Sequence, residues 1–185
     1  MVQANKPESN SFLAIKTNRD LANYLGIPVK EITFFAYSKK DFYSSFEIKK
    51  KDPTKYRAIS APKKKLKAIQ TILAKTFNGI YDPPRSVHGF VSGRSTASNA
   101  LGHTRKRSIA KIDLLDFFPS ITAGRIRGLF KHEPFSFPDE VADTLTNPTT
   151  HNGSLPQGAP TSPILSNMIC RRMDKELSAY ARTYR

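Results

Sequence analysis

The amino-acid sequence predicts an α+β fold, and three observations carry that reading. A strand, a Lys-Asp-Pro bend and a second strand follow one another from Phe46 to Ile59. Leu66, Ile69, Leu73 and Phe77 then recur at the spacing of a helix buried on one face. Further on, residues 109–114 form an apolar, β-prone run that ends in acidic residues.

Residues 1–11 are polar and contain Pro7, so they are expected to fray. Thr17, with Asp20 three residues on, is a candidate N-cap for a short helix through Leu21, Ala22 and Leu25, which Gly26 and Pro28 end. Residues 32–46 are rich in aromatics, and Tyr37, Phe42, Tyr43 and Phe46 are expected to pack in a core rather than stack on bases. Pro62 closes the hairpin, and residues 65–80 form the buried-face helix with its lysines toward solvent. Asp82-Pro83-Pro84 breaks the chain sharply. Residues 109–114 are expected to be the central strand, residues 123–132 and 139–145 short helices, and residues 146–154 a polar loop containing Pro148 and Gly153. Thr161 or Ser162 then caps a long helix whose face carries Leu165, Met168 or Ile169, Met173, Leu177 and Tyr180. There is no internal repeat.

A chain of 185 residues with 38% hydrophobic content supports one core. Its 30 Lys plus Arg against 15 Asp plus Glu give a formal charge of +15, the footprint of a polyanion partner. The charge is clustered at residues 49–51, 63–67, 105–107 and 171–172. One such run is usually only a solvated face, but together they suggest a basic channel. The single Cys170 excludes an internal disulfide and a Cys-rich zinc site, which fits a reducing cytoplasm, the expected location. No stretch is long and apolar enough for a signal peptide or membrane span; residues 27–37 are interrupted by Pro28, Lys30 and Glu31.

The chemistry concentrates in Lys111-Ile112-Asp113-Leu114-Leu115-Asp116-Phe117-Phe118, an apolar run before an acidic pair whose spacing suits one metal ligand and one turn residue. A carboxylate at a strand end suits metal-dependent phosphoryl transfer, because Mg²⁺ takes oxygen ligands from one or two carboxylates plus substrate phosphates. Alone, Asp-x-x-Asp usually means a solvated turn or a helix start.

Two further segments give it company: Phe46-Glu47-Ile48-Lys49-Lys50-Lys51-Asp52-Pro53-Thr54-Lys55-Tyr56-Arg57 upstream and Leu155-Pro156-Gln157-Gly158-Ala159-Pro160-Thr161-Ser162-Pro163 downstream. In that order the three resemble the fingers hairpin, motif A and motif B of reverse transcriptases. Asn99-Ala100-Leu101-Gly102-His103 fits the Asn-Ala-x-x-His signature of the bacterial retron enzymes. Leu66-Lys67-Ala68-Ile69-Gln70 and His88-Gly89-Phe90-Val91-Ser92-Gly93-Arg94-Ser95 also read as blocks of that family.

The resemblance implies a right-hand polymerase with fingers at residues 1–84, palm with motif A at 85–121, a return to the fingers at 122–152, and palm with motif B and the following helix at 153–185. It implies that Asp113 is catalytic and holds Mg²⁺ with the Leu114 carbonyl. Lys50 and Arg57 would grip the incoming triphosphate. The backbone N–H groups of Asp116 and Phe117 would meet its phosphates, Phe118 would select deoxynucleotides against a ribose 2′-hydroxyl, and Gln157 and Gly158 would approach the nucleotide. Either Phe117 or Phe118 is expected to pack in the core instead. Asn99 and His103 stand four apart, as on one helical face; His103 is expected to be structural, in a buried hydrogen-bond pair, and Asn99 is open.

The family's Tyr-x-Asp-Asp hairpin has no counterpart here, since the chain contains no Asp-Asp pair. The expectation is therefore an amino-terminal half without a thumb or the Val-Thr-Gly motif. It would be completed by a second polypeptide or chain segment and inactive alone. Expected partners are an RNA template, the RNA/DNA hybrid, dNTPs and a retron effector protein, with no membrane. The implied function is copying a structured non-coding RNA into DNA in antiphage defence. The rival readings are a catalytically inactive RNA-binding module, and a group II intron or abortive-infection reverse transcriptase.

Overall fold

The structure, a computed structural model, describes residues 6–38 and 40–183. Among them the chain forms helices α1 (Lys6–Leu13), α2 (Asn18–Leu25) and α3 (Val29–Tyr37), then strands β1 (Tyr43–Lys49) and β2 (Tyr56–Pro62). Helices α4 (Lys64–Ile80), α5 (Thr96–Leu101), α6 (Ala123–Lys131), α7 (Asp139–Thr149) and α8 (Ser162–Thr183) follow. The two strands pair antiparallel with Phe46 opposite Ile59, and theirs is the one sheet among the described residues. The α+β reading therefore holds in its coarse form.

Helix boundaries follow local chemistry. Thr17 and Asp20 form a reciprocal capping box on α2, and Gly26 ends that helix at φ 67, the left-handed region that glycine enters without a Cβ clash. In α4, Leu66, Ile69, Leu73 and Phe77 are all buried, as their spacing requires. The core is aromatic. Phe12 meets Tyr24, Phe77, Phe135 and Phe137 edge-on at 5.0, 5.8, 6.2 and 5.3 Å between ring centroids. Such pairs add to area burial because a ring edge faces a ring face of opposite charge.

Several expectations are corrected. Residues 109–114 are not a strand: no described strand lies beside them, and a strand is held only by a neighbour's backbone groups. The frayed segment 1–11 lies outside the described residues at 1–5, and from Lys6 it is helix α1, whose Phe12 is buried. Helix α7 runs on through Pro148 to Thr149, in place of the loop expected from 146. Its terminal carbonyls are taken by hydroxyls of its own threonines: Thr149 Oγ1 donates to Leu145 and Thr150 Oγ1 to Thr146. The Pro148 carbonyl accepts from Tyr43 Oη at 3.1 Å and Gln70 Nε2 at 2.6 Å. Tyr43 is core as expected and Phe42 half-buried, but Tyr37 and Phe46 are exposed. Leu165 and Met168 of α8 are buried while Leu177 is exposed.

Candidate active site

Asp113 and Leu114 are exposed, in irregular chain that runs into a tight turn. Asp116 sits there at φ 47, a left-handed conformation that a short acidic residue tolerates. Its carbonyl accepts the Ser120 N–H at 2.9 Å, the Phe118 carbonyl accepts that of Ile121 at 3.1 Å, and Ser120 Oγ donates to the Phe117 carbonyl. Among the described residues the N–H groups of Asp116 and Phe117 donate to no backbone carbonyl. Phe117 and Phe118 are half-buried, edge-on to one another at 5.3 Å, and both pack against the core.

The turn is tied to the 155–163 loop. Leu155 N–H donates to the Ile121 carbonyl at 2.9 Å, and Ala123 N–H to the Gly153 carbonyl at 2.8 Å. The loop in turn meets the hairpin: Ser60 N–H donates to the Gln157 carbonyl at 2.8 Å. Gly158 has φ 122, and a Cβ there would lie 2.9 Å from Ile59 Cγ2 and 3.2 Å from the Ser60 carbonyl oxygen. Backbone conformation and close approach both demand glycine at this position. The acidic turn, the 155–163 loop and the hairpin thus form one hydrogen-bonded series.

Strand alternation sorts the hairpin cations. Phe46, Ile48, Arg57 and Ile59 share one face, since Phe46 opposes Ile59 and Ile48 opposes Arg57. That face carries Ile59 against Gly158. Continuing the alternation by one residue puts Lys50 on it as well and Lys49 on the other. Lys50 and Arg57 are both exposed.

Asp113, Leu114 and Phe117 line a cleft of about 450 Å³ whose other walls include His88 and Gly89, Asn99 of α5, and Cys170 and Asp174 of α8. Burial pushes the Asp174 carboxyl up, and burial followed by the neighbouring Asp174 raises the Cys170 thiol. Lys50, Arg57, Gln157 and Gly158 do not line this cleft; they stand along the hairpin and the 155–163 loop. No group of three or more His, Cys, Asp or Glu converges among the described residues. Asn99 and His103 are both exposed and form no pair: α5 ends at Leu101, and His88 Nδ1 bonds Ser98 Oγ at 2.9 Å instead.

The basic clusters are exposed on separate elements, and not all their charges are free. Lys63 Nζ donates to the Asp41 carbonyl, Arg171 to that of Asp82, and Arg172 pairs with Glu176. Sequence reasoning missed Arg94, whose guanidinium donates to the carbonyls of Pro83, Pro84 and Val87. It also missed Asn167, whose amide donates to the Gly89 carbonyl at 2.9 Å. Arg94 lies within the block at residues 88–95, but the sequence marks neither residue's acceptors, because those are backbone groups brought close by the fold. Among the described residues no helix is long and apolar enough to cross a membrane.

Residues 48–184 match the family described as reverse transcriptase (RNA-dependent DNA polymerase). The chain is 32% identical to the retron Mx162 reverse transcriptase of Myxococcus xanthus over 96% of its own length and 40% of the relative's. With the retron Mx65 reverse transcriptase of the same organism it shares 34% identity over 91% and 44%. With the retron Ec86 reverse transcriptase of Escherichia coli it shares 34% over 88% and 50%. It therefore spans half or less of the length of these relatives. A family match over most of the chain and ordered motifs joined by backbone bonds lead to one conclusion: the chain belongs to the reverse transcriptase family, as a retron-type member.

Proposed function

We propose that this chain is the fingers and part of the palm of an RNA-directed DNA polymerase that extends a primer on an RNA template from dNTPs. The fingers are residues 1–84 and 122–152, and the palm 85–121 and 153–185. The observation that carries the reading is the unbroken series from the Asp116 turn through Ile121 and Leu155 to Gln157, Gly158 and strand β2. A polymerase must fix the triphosphate grip relative to the catalytic carboxylate, and such a series does that through backbone alone.

Lys50 and Arg57 share the hairpin face that meets Gly158, and there they add charge-assisted hydrogen bonds to the triphosphate as the hairpin closes. The N–H groups of Asp116 and Phe117 donate to phosphate oxygens. Gln157 and Gly158 flank the sugar or template base. Phe118 limits room at the 2′ position with the part of its ring that the core leaves uncovered.

The exposed Asp113 carboxylate and Leu114 carbonyl suit Mg²⁺, which accepts one or two carboxylates beside phosphate oxygens. They form a partial donor set, shared with a Tyr-x-Asp-Asp segment on a second polypeptide or further stretch of chain. When bound, the ion neutralises phosphate charge and activates the primer hydroxyl. The retron resemblance extends the proposal to a structured non-coding RNA as template, an effector partner, a cytoplasmic setting and antiphage defence.

Primer extension on RNA with Mg²⁺ and dNTPs tests the reading, using the chain alone and joined to a segment carrying Tyr-x-Asp-Asp and a thumb. Extension is expected only in the joined form, and Asp113→Ala should abolish it while RNA binding persists. Extension that survives Asp113→Ala sinks the assignment. RNA binding without extension in the joined form would favour an inactive RNA-binding module.

A further inference from the structure

The segment that walls the Asp113 cleft opposite α8 has no regular structure of its own. Between the end of α4 and the start of α5 it runs as turns and extended chain, and its His88 and Gly89 face the same cleft as Asp113 and Leu114. What holds it is a set of side chains grasping its carbonyls. From its own far end Arg94 donates to Pro83, at 3.2 Å, and to Pro84 and Val87. From α8, Asn167 donates to Gly89 at 2.9 Å and Arg171 to Asp82 at 2.7 Å, while Ser178 meets Ser86 at 3.3 Å.

Arg94 is half-buried and forms no ion pair with a described carboxylate. Its charge is answered by three carbonyl dipoles lying on one side of a single loop. A planar fork holds its several donors in fixed directions, which a freely rotating ammonium does not. A charged group spent wholly on backbone acceptors of its own loop fixes that loop's shape.

We infer that Arg94, assisted by Asn167 from α8, is the positioning residue of this cleft. It folds residues 83–87 into a rigid arch, and Asn167 seats the arch at Gly89 against the helix that carries Cys170 and Asp174. The width of the cleft beside Asp113 is then set by these two side chains. Its weight for polymerisation rests on the function proposed above, but the geometry is testable without catalysis.

Cys170 is the reporter. It is the chain's only cysteine, it is half-buried, and it lines this cleft. Its alkylation by iodoacetamide at about pH 8 reads how well the wall shields it. Arg94→Ala and Asn167→Ala are each expected to speed labelling by about tenfold or more, the factor that follows from losing one well-made charged or amide hydrogen bond. Arg94→Lys should restore only part of the protection, since the ammonium keeps the charge but loses the fork's fixed donor directions. The acceleration should barely change in dilute urea, as local opening exposes little surface, whereas labelling through global unfolding rises steeply.

Wild-type labelling rates in all three variants would overturn the inference. So would acceleration that follows each variant's melting temperature and urea dependence, because a residue that merely stabilises the fold would behave that way. If Arg94→Ala fails to fold, the labelling rate of Asn167→Ala decides the matter alone. Failure of the polymerase reading would appear in primer extension and leave these rates untouched.

Discussion

The aromatic core around Phe77 and the segment around Asp113 are both rich in apolar residues, yet one excludes solvent and the other faces it. Phe12, Phe77, Phe130 and Phe135 are all at most 1% exposed, whereas Ile112 is 75% and Leu115 88% exposed. The core is assembled from amphipathic helices whose apolar faces bury one another. The acidic segment has strand chemistry without a described strand to pair with, and its apolar residues stay outside. Position along the chain does not explain the contrast. The kind of partner each segment requires does.

The contrast breaks first, and by the largest margin, at Phe77. Truncating this fully buried ring in Phe77→Ala should cost roughly 3 to 5 kcal/mol, read by urea denaturation, while Leu115→Ala should stay within about 0.5 kcal/mol of wild type. Equal losses at the two positions would mean that the acidic segment packs after all. Next comes Arg57, which sits on the exposed side of the comparison yet is assigned a function. In the joined polymerase, Arg57→Ala should weaken dNTP use by roughly 10- to 150-fold, the worth of a charged hydrogen bond of about 1.5 to 3 kcal/mol. Stability should hardly change, and intact dNTP kinetics would remove Arg57 from the grip.

Gly158 sharpens the comparison from the seam between the regions. Gly158→Ala forces a Cβ against Ile59 Cγ2 and the Ser60 carbonyl in a backbone conformation that side chains disfavour, costing roughly 1 to 3 kcal/mol. Thermal melting reads that cost, and a neutral result would show that the loop stands off the hairpin. The smallest effect is acid sensitivity of the helical body. Hydrogen bonds from Thr17 and the Lys16 and Thr17 N–H groups hold the Asp20 carboxyl below its ordinary value of 3.8, and Lys131 then Arg127 do the same for Asp139. A depressed carboxyl adds stability above its unfolded value and loses it as pH falls through the folded one. Melting temperature should therefore decline slightly below about pH 4, less so in high salt because both groups are exposed. A flat profile from pH 5 to 2 would deny both interactions a net contribution.

Legibility in the sequence follows the same division. The capping box at Thr17, the stop at Gly26, the face of α4 and the two strands of the hairpin were readable because each depends on residues within about one helical turn or on strand alternation. The end of α7 was not, since Pro148 is tolerated there through Tyr43 and Gln70, which lie 105 and 78 residues away. At the candidate site the sequence names candidate residues but not the connections between them. Gly158 announces a backbone need, but only the fold shows that Ile59 and Ser60 impose it. Arg94 stands in the sequence only as part of the block at residues 88–95, and its three carbonyl partners appear only in the fold.

The root of the hairpin has a mechanical consequence. Tyr43 is buried there, its hydroxyl donating to Pro148 and accepting from Gln70, and the Ser60 bond adds a second fixed point, while the tip at residues 50–55 has no tertiary hydrogen bond among those described. The ribbon is thus a lever of about 16 Å beyond the pair of Ser45 and Ser60, at roughly 3.3 Å per strand residue. A rocking of about 6° at that pair carries the tip roughly 2 Å. That sweep carries the exposed Lys50 through solvent while the Tyr43 bonds at the root stay in place.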